Sequence, residues 1–383
     1  MKLNSIRSVA IAALAASIFG LALTACSDDS SSGTSPAETK VETLAECTAP
    51  AFLKKGDKIA LLSPSYATPD SNVELTAKAL KEWGFEPVVG KNVGKLEAGK
   101  YAGTVEERAE DFIDALKDTS IKAIICNRGG YGAIQLIDYI DLQLVKDNPK
   151  WLVGFSDIST LHAVTTKAGV MSIHGTMSSF IAKTGGTDDN STLVRDLLKG
   201  NVPTYRVPAN KLNQKGAAEG ILVGGNMATF VPLVGVSEID VFQKEGIILF
   251  MEELGENLRN IDRMFQSLEL HGVLDKVNGV ILGEFEDSGT DLDYESAEEM
   301  LSQYLKKYDI PVISGFPAGH GEVNVPLIMG AKVKMVVKDD GATLSFDVDG
   351  DEKVVDTDKL TNKTVLSKAL RKMLAGKIFA VEE

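Results

Sequence analysis

The sequence Trp151-Leu152-Val153-Gly154-Phe155-Ser156-Asp157-Ile158-Ser159 decides the fold, because it joins a short apolar strand to a helix through a tight turn. Gly154 permits the sharp change of backbone direction, and helical spacing of apolar residues resumes at Leu161. A serine at this point presents its hydroxyl at the carboxyl end of a strand. We therefore predict that Ser156 lies at a strand-to-helix turn. Ile158 stands where the G-x-S-x-G motif has its second glycine, so a serine that only caps the helix is the alternative.

Short apolar runs alternate with helical patterns from Lys58 onward, which is typical of a parallel α/β sheet. Thr104 and Glu107 are three residues apart and predict a capping box at the start of one helix. The predicted strands lie at 59–62, 87–89, 123–126, 152–155 and 171–173, and the predicted helices at 73–83, 105–116, 134–139 and 161–168.

The later part of the chain is richer in strand patterns and predicts a second, smaller lobe of α+β type. Its predicted strands lie at 220–223, 246–251, 277–282 and 311–314, with a hairpin of 333–337 and 343–348 around Asp339-Asp340-Gly341. We divide the chain into an N-terminal α/β domain (51–182) that carries Ser156, a polar and irregular connector (183–218), a C-terminal domain (219–350) and a C-terminal extension (351–383) with a helix at 364–375.

The first 25 residues have the composition of a secretory signal, in which Lys2 and Arg7 precede an apolar run over 9–23. Leu23-Thr24-Ala25-Cys26 matches the lipobox of bacterial lipoproteins, which predicts lipidation of Cys26. A membrane-spanning anchor is the alternative, but the run is short for a span of about 20 residues. We expect a lipid-anchored protein outside the inner membrane, facing the periplasm or the exterior. Ser27 is not a retention aspartate, which favours the outer membrane.

Residues 26–50 begin with a serine-rich polar stretch and are interpreted as a disordered tether. Removal of residues 1–25 takes away two positive charges and no negative ones, so the net charge of −14 becomes −16. Such an acidic chain is not expected to bind nucleic acid. Cys47 and Cys126 allow at most one disulfide, and the sequence leaves open whether they pair. Cys126 ends an apolar run and is interpreted as a buried side chain.

A serine nucleophile needs a neighbouring base, and histidine suits this role near neutral pH. The chain has four histidines. His320 lies in the glycine-flanked loop Pro317-Ala318-Gly319-His320-Gly321 after a predicted strand, and is the strongest candidate base. His174 ends a predicted strand and could face the same cleft. His162 and His271 are interpreted as structural.

The base must be oriented by an acid, and Glu252 and Glu253 follow a predicted strand. Adjacent side chains at a strand end point to opposite sides, so only one of the two can face the cleft. The residues leave this choice open. Gly129 and Gly130 fail the spacing of a dinucleotide-binding loop, but they could bring an amide beside that of Asp157 to form an oxyanion hole. No metal-ligand spacing is present in the sequence.

These motifs, in this order and spacing, resemble the LD-carboxypeptidase family. The family consists of serine peptidases that include the muropeptide tetrapeptide carboxypeptidases and the microcin C immunity peptidases. The resemblance spans roughly 57–337 and rests on Leu61 to Pro64, Ala102-Gly103-Thr104, Arg128 to Gly132, Gly154 to Ser159, Ile173-His174-Gly175, Gly224-Gly225-Asn226, Glu252 with Gly255-Glu256, and Pro317 to Gly321.

The resemblance implies a catalytic triad of Ser156 as nucleophile, Glu252 as orienting carboxylate and His320 as general base. It also implies an oxyanion hole formed by the backbone amides of Gly130 and Asp157, and Asn226 and Arg263 near the substrate. A two-lobed fold, a homodimer and the absence of any metal or cofactor follow from the same resemblance. The segment after Asp349 lies outside it.

The function implied is hydrolysis of the amide between an L-centre, such as that of meso-diaminopimelate, and the terminal D-alanine of a peptidoglycan tetrapeptide. One alternative is a serine peptidase or amidase of the microcin-immunity type that acts on a peptide-nucleotide or another amide. Stacking of a nucleotide base needs exposed rings, and we expect few of them because Trp83 and Trp151 are predicted to be buried. A non-catalytic, muropeptide-binding lipoprotein is the other alternative.

Overall fold

The computed structural model describes residues 42–289 and 291–360, which contain two β-sheets with helices packed around them. The predicted helix at 364–375, the signal segment, Cys26 and most of the predicted tether lie outside the described residues. The first elements in chain order are β1 (Lys58–Leu62), α1 (Asp70–Trp83), β2 (Glu86–Val89), α2 (Val105–Lys117), β3 (Ile121–Cys126), α3 (Leu142–Asp147), β4 (Trp151–Gly154), α4 (Ser159–Lys167), β5 (Ser172–His174) and α5 (Ser178–Thr184).

The remaining elements belong mainly to the second sheet. They are α6 (Asp189–Leu198), β6 (Asn201–Pro208), β7 (Gly216–Asn226), α7 (Met227–Phe230), β8 (Ile247–Leu254), α8 (Leu258–Leu270), β9 (Val277–Glu286), α9 (Ala297–Leu305), β10 (Val312–Ser314), β11 (Leu327–Met329), β12 (Lys332–Lys338), β13 (Gly341–Phe346) and β14 (Asp351–Asp356). Within the described residues, none of the helices combines the length and apolar composition needed to cross a membrane.

The first sheet has the order β11-β5-β4-β3-β1-β2, and strands β1 to β5 are mutually parallel. This confirms the α/β prediction for the N-terminal lobe. Its sixth strand, β11, comes from the C-terminal part of the chain and pairs antiparallel with β5. The capping box of α2 is present, since Thr104 Oγ1 accepts from Glu107 N at 3.3 Å and Glu107 Oε2 accepts from Thr104 N at 3.0 Å.

The second sheet has the order β10-β9-β8-β7-β12-β13-β6-β14, with parallel pairing from β7 to β10 and antiparallel pairing from β7 through β12 and β13 to β6. The predicted hairpin is confirmed as β12 and β13. The start of the C-terminal extension forms β14, which pairs in parallel with β6. Each of two continuous apolar clusters contains buried side chains from both sheets, so the two lobes share their hydrophobic cores.

Two local predictions were wrong. Residues 183–218 are not irregular, because Asp188 caps α6 by accepting from Ser191 N, and α6 buries an apolar face. The two prolines of this segment lie in β6, which is paired on both sides. The predicted helix at 134–139 is a 3₁₀ helix, Ala133–Tyr139. Only eight residues separate Gly132 from the cap of α3 at Asp141, and the 3₁₀ helix takes seven of them.

Candidate active site

Ser156 lies at the predicted strand-to-helix turn, directly between β4 and α4. Its φ is +64°, a left-handed conformation that non-glycine residues rarely adopt. A Cβ on Gly154 would stand 2.9 Å from the side chain of Ile158, so glycine is required for the turn to close. Backbone strain of this kind persists at functional sites because the surrounding structure enforces it. The geometry therefore favours an active serine over a simple helix cap.

The glycine-rich loop after β3 approaches Ser156 closely. A Cβ on Gly129 would lie 3.0 Å from Ser156 Cβ, 3.1 Å from its Oγ and 3.4 Å from Asp157 N. Gly130 has a φ of +113°, and a Cβ there would collide with the ring of Tyr66 at 2.3 Å. Only glycine at these two positions lets the loop backbone reach the serine turn.

The carboxylate of Asp157 is buried and accepts hydrogen bonds from the segments that follow β1 and β3. It accepts hydrogen bonds from Ser65 Oγ at 2.5 Å and from Ala133 N at 2.8 Å. Burial raises the pKa of this carboxyl, while the two hydrogen bonds and the positive charge of Arg108 act in the opposite direction. Arg108 in turn donates to the carbonyl oxygens of Pro64 and Gly132. These contacts connect the glycine-rich loop to the serine turn.

The second sheet supplies a hydrogen-bonded acid and base. His320 Nδ1 lies 2.6 Å from Glu252 Oε2, and the Glu252 side chain is fully buried at the end of β8. Burial lowers the pKa of His320, but the charge and hydrogen bond of Glu252 outweigh it, so the net pKa is raised. Gly319, with a φ of +133°, makes this approach possible, since a Cβ there would stand 2.9 Å from Glu252 Oε2.

Glu253 points to a different set of partners, as the alternation of side chains along a strand requires. Its carboxylate accepts from Asn226 Nδ2 at 2.8 Å, from Ala228 N at 2.7 Å and from Leu254 N at 2.9 Å. Burial raises the pKa of Glu253 despite these bonds. The choice that the sequence left open is therefore resolved geometrically: Glu252 contacts the histidine, and Glu253 holds Asn226 and the start of α7.

The other three histidines do not line the cavity beside Ser156. His162 is buried, with Nδ1 2.8 Å from Ser172 Oγ and Nε2 2.9 Å from the carbonyl oxygen of Gly154, which confirms its structural interpretation. His271 follows the last residue of α8 and contacts its backbone. His174 is fully buried between Phe155 and Phe250, so it does not face the cleft.

A cavity of about 730 Å³ opens between the serine turn and the histidine loop. Asn226 lines it, as expected, but Arg263 does not: Arg263 is exposed on α8, where its Nη1 donates to Asn260 Oδ1. The cavity is lined by Thr68, Pro69, Asn72, Arg128, Gly129, Gly130, Tyr131, Phe155, Ser156, Asp157, Met177, Ser179, Phe180, Lys183, Asn226, Ala228, Thr229, Glu253, Leu254, Glu256 and His320.

Sequence reasoning missed the contribution of α5. Phe180 and Lys183 lie on this helix and line the cavity, although residue 183 was assigned to a connector. The signal that could have found them is position, because α5 directly follows β5 and the carboxyl ends of parallel strands gather at the site.

Cys47 and Cys126 are both free and buried, which resolves the disulfide question for this structure. Burial raises the pKa of the Cys47 thiol to about 12 and that of Cys126 further still, so neither is a reactive thiolate. Within residues 42–289 and 291–360, no group of three or more His, Cys, Asp or Glu side chains could hold a metal ion.

Known protein families match both lobes. Residues 59–175 match the LD-carboxypeptidase N-terminal domain, and residues 219–335 match the LD-carboxypeptidase C-terminal domain. The chain therefore belongs to the LD-carboxypeptidase family and is a carboxypeptidase hydrolase of the serine peptidase class.

Individual relatives agree with this assignment. The chain is 31% identical to the "Probable murein peptide carboxypeptidase" of Bacillus subtilis, over 75% of this chain and 91% of the relative. It is 27% identical to the microcin C7 self-immunity protein MccF of Escherichia coli, over 77% and 94% of the two chains. The crystal structure of muramoyltetrapeptide carboxypeptidase from Oxalobacter formigenes has the same fold, with a TM-score of 0.68, 24% identity and coverage of 76% and 99%.

Proposed function

We propose that this protein is a serine-type LD-carboxypeptidase that removes the terminal D-alanine from peptidoglycan tetrapeptides, with Ser156, Glu252 and His320 as its catalytic triad. The observation that carries the proposal is the 2.6 Å contact between His320 and the buried Glu252 at the cavity that Ser156 also lines. The volume of about 730 Å³ is within the range of about 300–1,000 Å³ typical of small-ligand sites and suits a short peptide.

The proposed mechanism gives each atom of the triad a role. Because Nδ1 of His320 contacts the Glu252 carboxylate, Nδ1 carries the proton and Nε2 is the basic nitrogen. Nε2 takes the proton of Ser156 Oγ as this oxygen attacks the carbonyl carbon of the diaminopimelate L-centre. The backbone amides of Gly130 and Asp157 stabilise the resulting oxyanion. His320 then gives the proton to the amine of D-alanine, which leaves, and water hydrolyses the acyl-enzyme by the same steps.

The test is release of D-alanine by the full chain, purified in detergent, from a tetrapeptide that ends in meso-diaminopimelate and D-alanine. Mass spectrometry follows the free D-alanine, and Ser156→Ala is the matched control. Release by the wild type and its loss in the variant are the expected results. Binding of the peptide without turnover would indicate the non-catalytic alternative instead.

A second candidate, cleavage of a peptide-nucleotide amide, is favoured by one observation. Trp83 and Trp151 are buried, as predicted, but the cavity still has two exposed rings: Tyr131 is 48% exposed and Phe180 is 42% exposed. These two rings are the few platforms in the cavity on which a base could stack. Comparison of kcat/KM for the tetrapeptide and for an aminoacyl sulfamoyl nucleotide distinguishes the two candidates, and loss of only the nucleotide activity in Tyr131→Ala would favour the second.

We propose that the protein works outside the inner membrane, attached by lipidated Cys26, and that it is a homodimer. The support is the lipobox sequence and the family resemblance. Metabolic labelling with a palmitate analogue, compared between wild type and Cys26→Ser, tests the anchor. Membrane fractionation tests the preference for the outer membrane, and light scattering of the detergent-solubilised chain tests the dimer.

A further inference from the structure

Two cationic side chains, Arg128 and Lys183, line the cavity. The carboxylates that line it are already engaged, since Glu253 holds Asn226 and Glu256 accepts from Asn260 Nδ2 at 2.6 Å. In the described part of the chain, neither cation has a carboxylate partner. The cavity therefore presents two positive charges that a substrate anion can neutralise.

The two cations have different neighbours at the reacting centre. Arg128 directly precedes Gly129, which packs against Ser156 on the side of the proposed oxyanion hole, and its guanidinium lies over the Tyr66 ring. The ring of Phe155 lies 4.9 Å from that of His320 and 5.5 Å from that of Phe180, and we call this group of rings the histidine side of the cavity.

Lys183 belongs to this histidine side. Its Nζ lies 5.0 Å from the centroid of the Phe180 ring, one helical turn away on α5. The four-carbon stem of a lysine lets its ammonium move across several ångströms around such a position. Lys183 is therefore the cation placed toward the base, across the two phenylalanine rings.

The chemistry of an exopeptidase places the substrate carboxylate on that same side. The leaving amine must come within hydrogen-bond distance of the histidine that protonates it. In an amino acid the nitrogen and the carboxylate carbon share one Cα, so they are only about 2.5 Å apart. A free terminal carboxylate therefore lies beside His320 and toward Phe180 and Lys183.

We propose that Lys183 binds the terminal carboxylate of the substrate and so restricts the enzyme to cleavage of a single C-terminal residue. This inference rests on the proposed function, because it assumes that the leaving group is a terminal amino acid. A charge-assisted hydrogen bond between ammonium and carboxylate discriminates against a neutral end by about 10- to 100-fold.

The test compares a tetrapeptide with a free carboxylate and the same tetrapeptide with a C-terminal carboxamide. We expect Lys183→Gln to lower kcat/KM for the free acid by about 10- to 100-fold, with little change for the carboxamide. Lys183→Arg should restore much of the preference for the acid. Lys78→Gln, on the exposed face of α1, is the matched control for loss of one surface lysine.

Two results would overturn the inference. One is an equal loss on both peptides in Lys183→Gln, which indicates a structural role. The other is a selective loss on the free acid in Arg128→Gln and not in Lys183→Gln, which assigns the carboxylate to the oxyanion side.

Calorimetric binding of both peptides to Ser156→Ala separates this inference from the proposed function. If the wild type releases no D-alanine, but the acid still binds more tightly than the carboxamide in a Lys183-dependent way, the proposed reaction fails and the anchoring stands. If the acid and the carboxamide bind equally well, Lys183 does not bind the terminal carboxylate, and this conclusion holds whether or not the wild type releases D-alanine.

Discussion

The two walls of the cavity are built in different ways. The serine wall consists of Gly129, Gly130, Ser156 and Asp157, which follow two neighbouring parallel strands of the first sheet, β3 and β4. The histidine wall joins residues 68 positions apart, Glu252 at the end of β8 and His320 in a later loop. The first wall is determined by local turns, and the second depends on packing between distant segments.

The loop of His320 shows how the second wall is held. Gly319 N donates to Asn324 Oδ1 at 3.1 Å, and Asn324 N donates to Asn190 Oδ1 at 2.9 Å. Asn190 lies on α6, in the segment predicted to be irregular, and its Nδ2 donates to the carbonyl oxygen of Glu322. A helix with no chemistry of its own therefore positions the loop of the proposed base. We therefore expect substitutions in the serine wall to change the catalytic rate directly. Substitutions in the histidine wall should change the rate and also the position of His320.

The largest effect is expected at Ser156. Ser156→Ala removes the nucleophile, and kcat should fall by about 10⁶-fold with folding intact. Ser156→Gly should be equally inactive. Its free energy of unfolding should exceed that of Ser156→Ala by about 1 kcal/mol, because glycine adopts the φ of +64° without strain. D-alanine release and thermal unfolding measure both quantities. A glycine variant no more stable than the alanine variant contradicts the strain.

The adjacent glutamates test the histidine wall directly. Glu252→Gln should lower kcat by about 10⁴-fold, because His320 loses its orienting carboxylate. The raised pKa of His320 depends on that charge, and the base acts only when neutral. The acid limb of the kcat/KM profile should therefore move to lower pH in this variant.

Glu253→Gln is the matched control for loss of one buried carboxylate at this strand end. It leaves the N–H of Ala228 or Leu254 without its acceptor, so we expect a loss of about 1–3 kcal/mol of unfolding free energy. The charge of Glu253 contributes less than that of Glu252 to the raised pKa of His320, so the acid limb should move to lower pH by less than in Glu252→Gln. An acid limb that shifts equally in both variants would argue against the separate roles of the two carboxylates.

Asn324→Ala should disturb the position of His320 without touching its chemistry. We expect kcat to fall by about 10²-fold at nearly constant KM, since a small displacement of a catalytic group has an effect of this size. Asn190→Ala removes a different hydrogen bond, the one that Asn324 N donates to Asn190 Oδ1, but it acts on the same loop, so the double variant should lose little more than either single one. Independent losses that multiply would contradict a shared positioning path. Asn278→Ala, at an exposed site bound to Glu219, serves as the control.

Glu284 is expected to have the smallest effect on the rate and a pH-dependent effect on stability. Burial and the charges of Glu286 and Glu298 raise its pKa to about 7, while the amide of Gly321 opposes the shift. The carboxyl ionises more easily in the unfolded chain, so its unfavourable contribution grows as pH rises from about 4.5 to about 7.

Glu284→Gln removes this contribution. The variant should gain at most about 3 kcal/mol of unfolding free energy at pH 8 and gain nothing near pH 4.5. Chemical denaturation at the two pH values measures the difference, and a gain independent of pH contradicts the assignment. Because Glu284 faces the loop of His320, the acid limb should shift slightly to lower pH.

Much of the serine wall could be predicted from the sequence. The turn at Ser156 and the capping box of α2 each depend on residues within a few positions of one another, and Gly129 and Gly130 follow a strand that the apolar pattern also predicts. Such features are encoded by glycine conformations, side-chain capping and apolar spacing. The residues alone also ranked His320 first as the base, whereas the choice of Glu252 over Glu253 came from the family resemblance.

The amino-acid sequence by itself therefore determined the alternation of strands and helices, the strand-end serine and the hairpin of the second sheet. The residues themselves did not choose between Glu252 and Glu253, and the tertiary structure shows that Glu252 contacts His320. Only the tertiary structure decided that Asn190 and Asn324 hold the histidine loop, and that α5 brings Lys183 to the cavity while Arg263 stays outside. The physical reason is the separation along the chain of the residues that interact. Backbone turns and caps are satisfied by neighbours in the chain, whereas the partners of a buried side chain are set by how two sheets pack together.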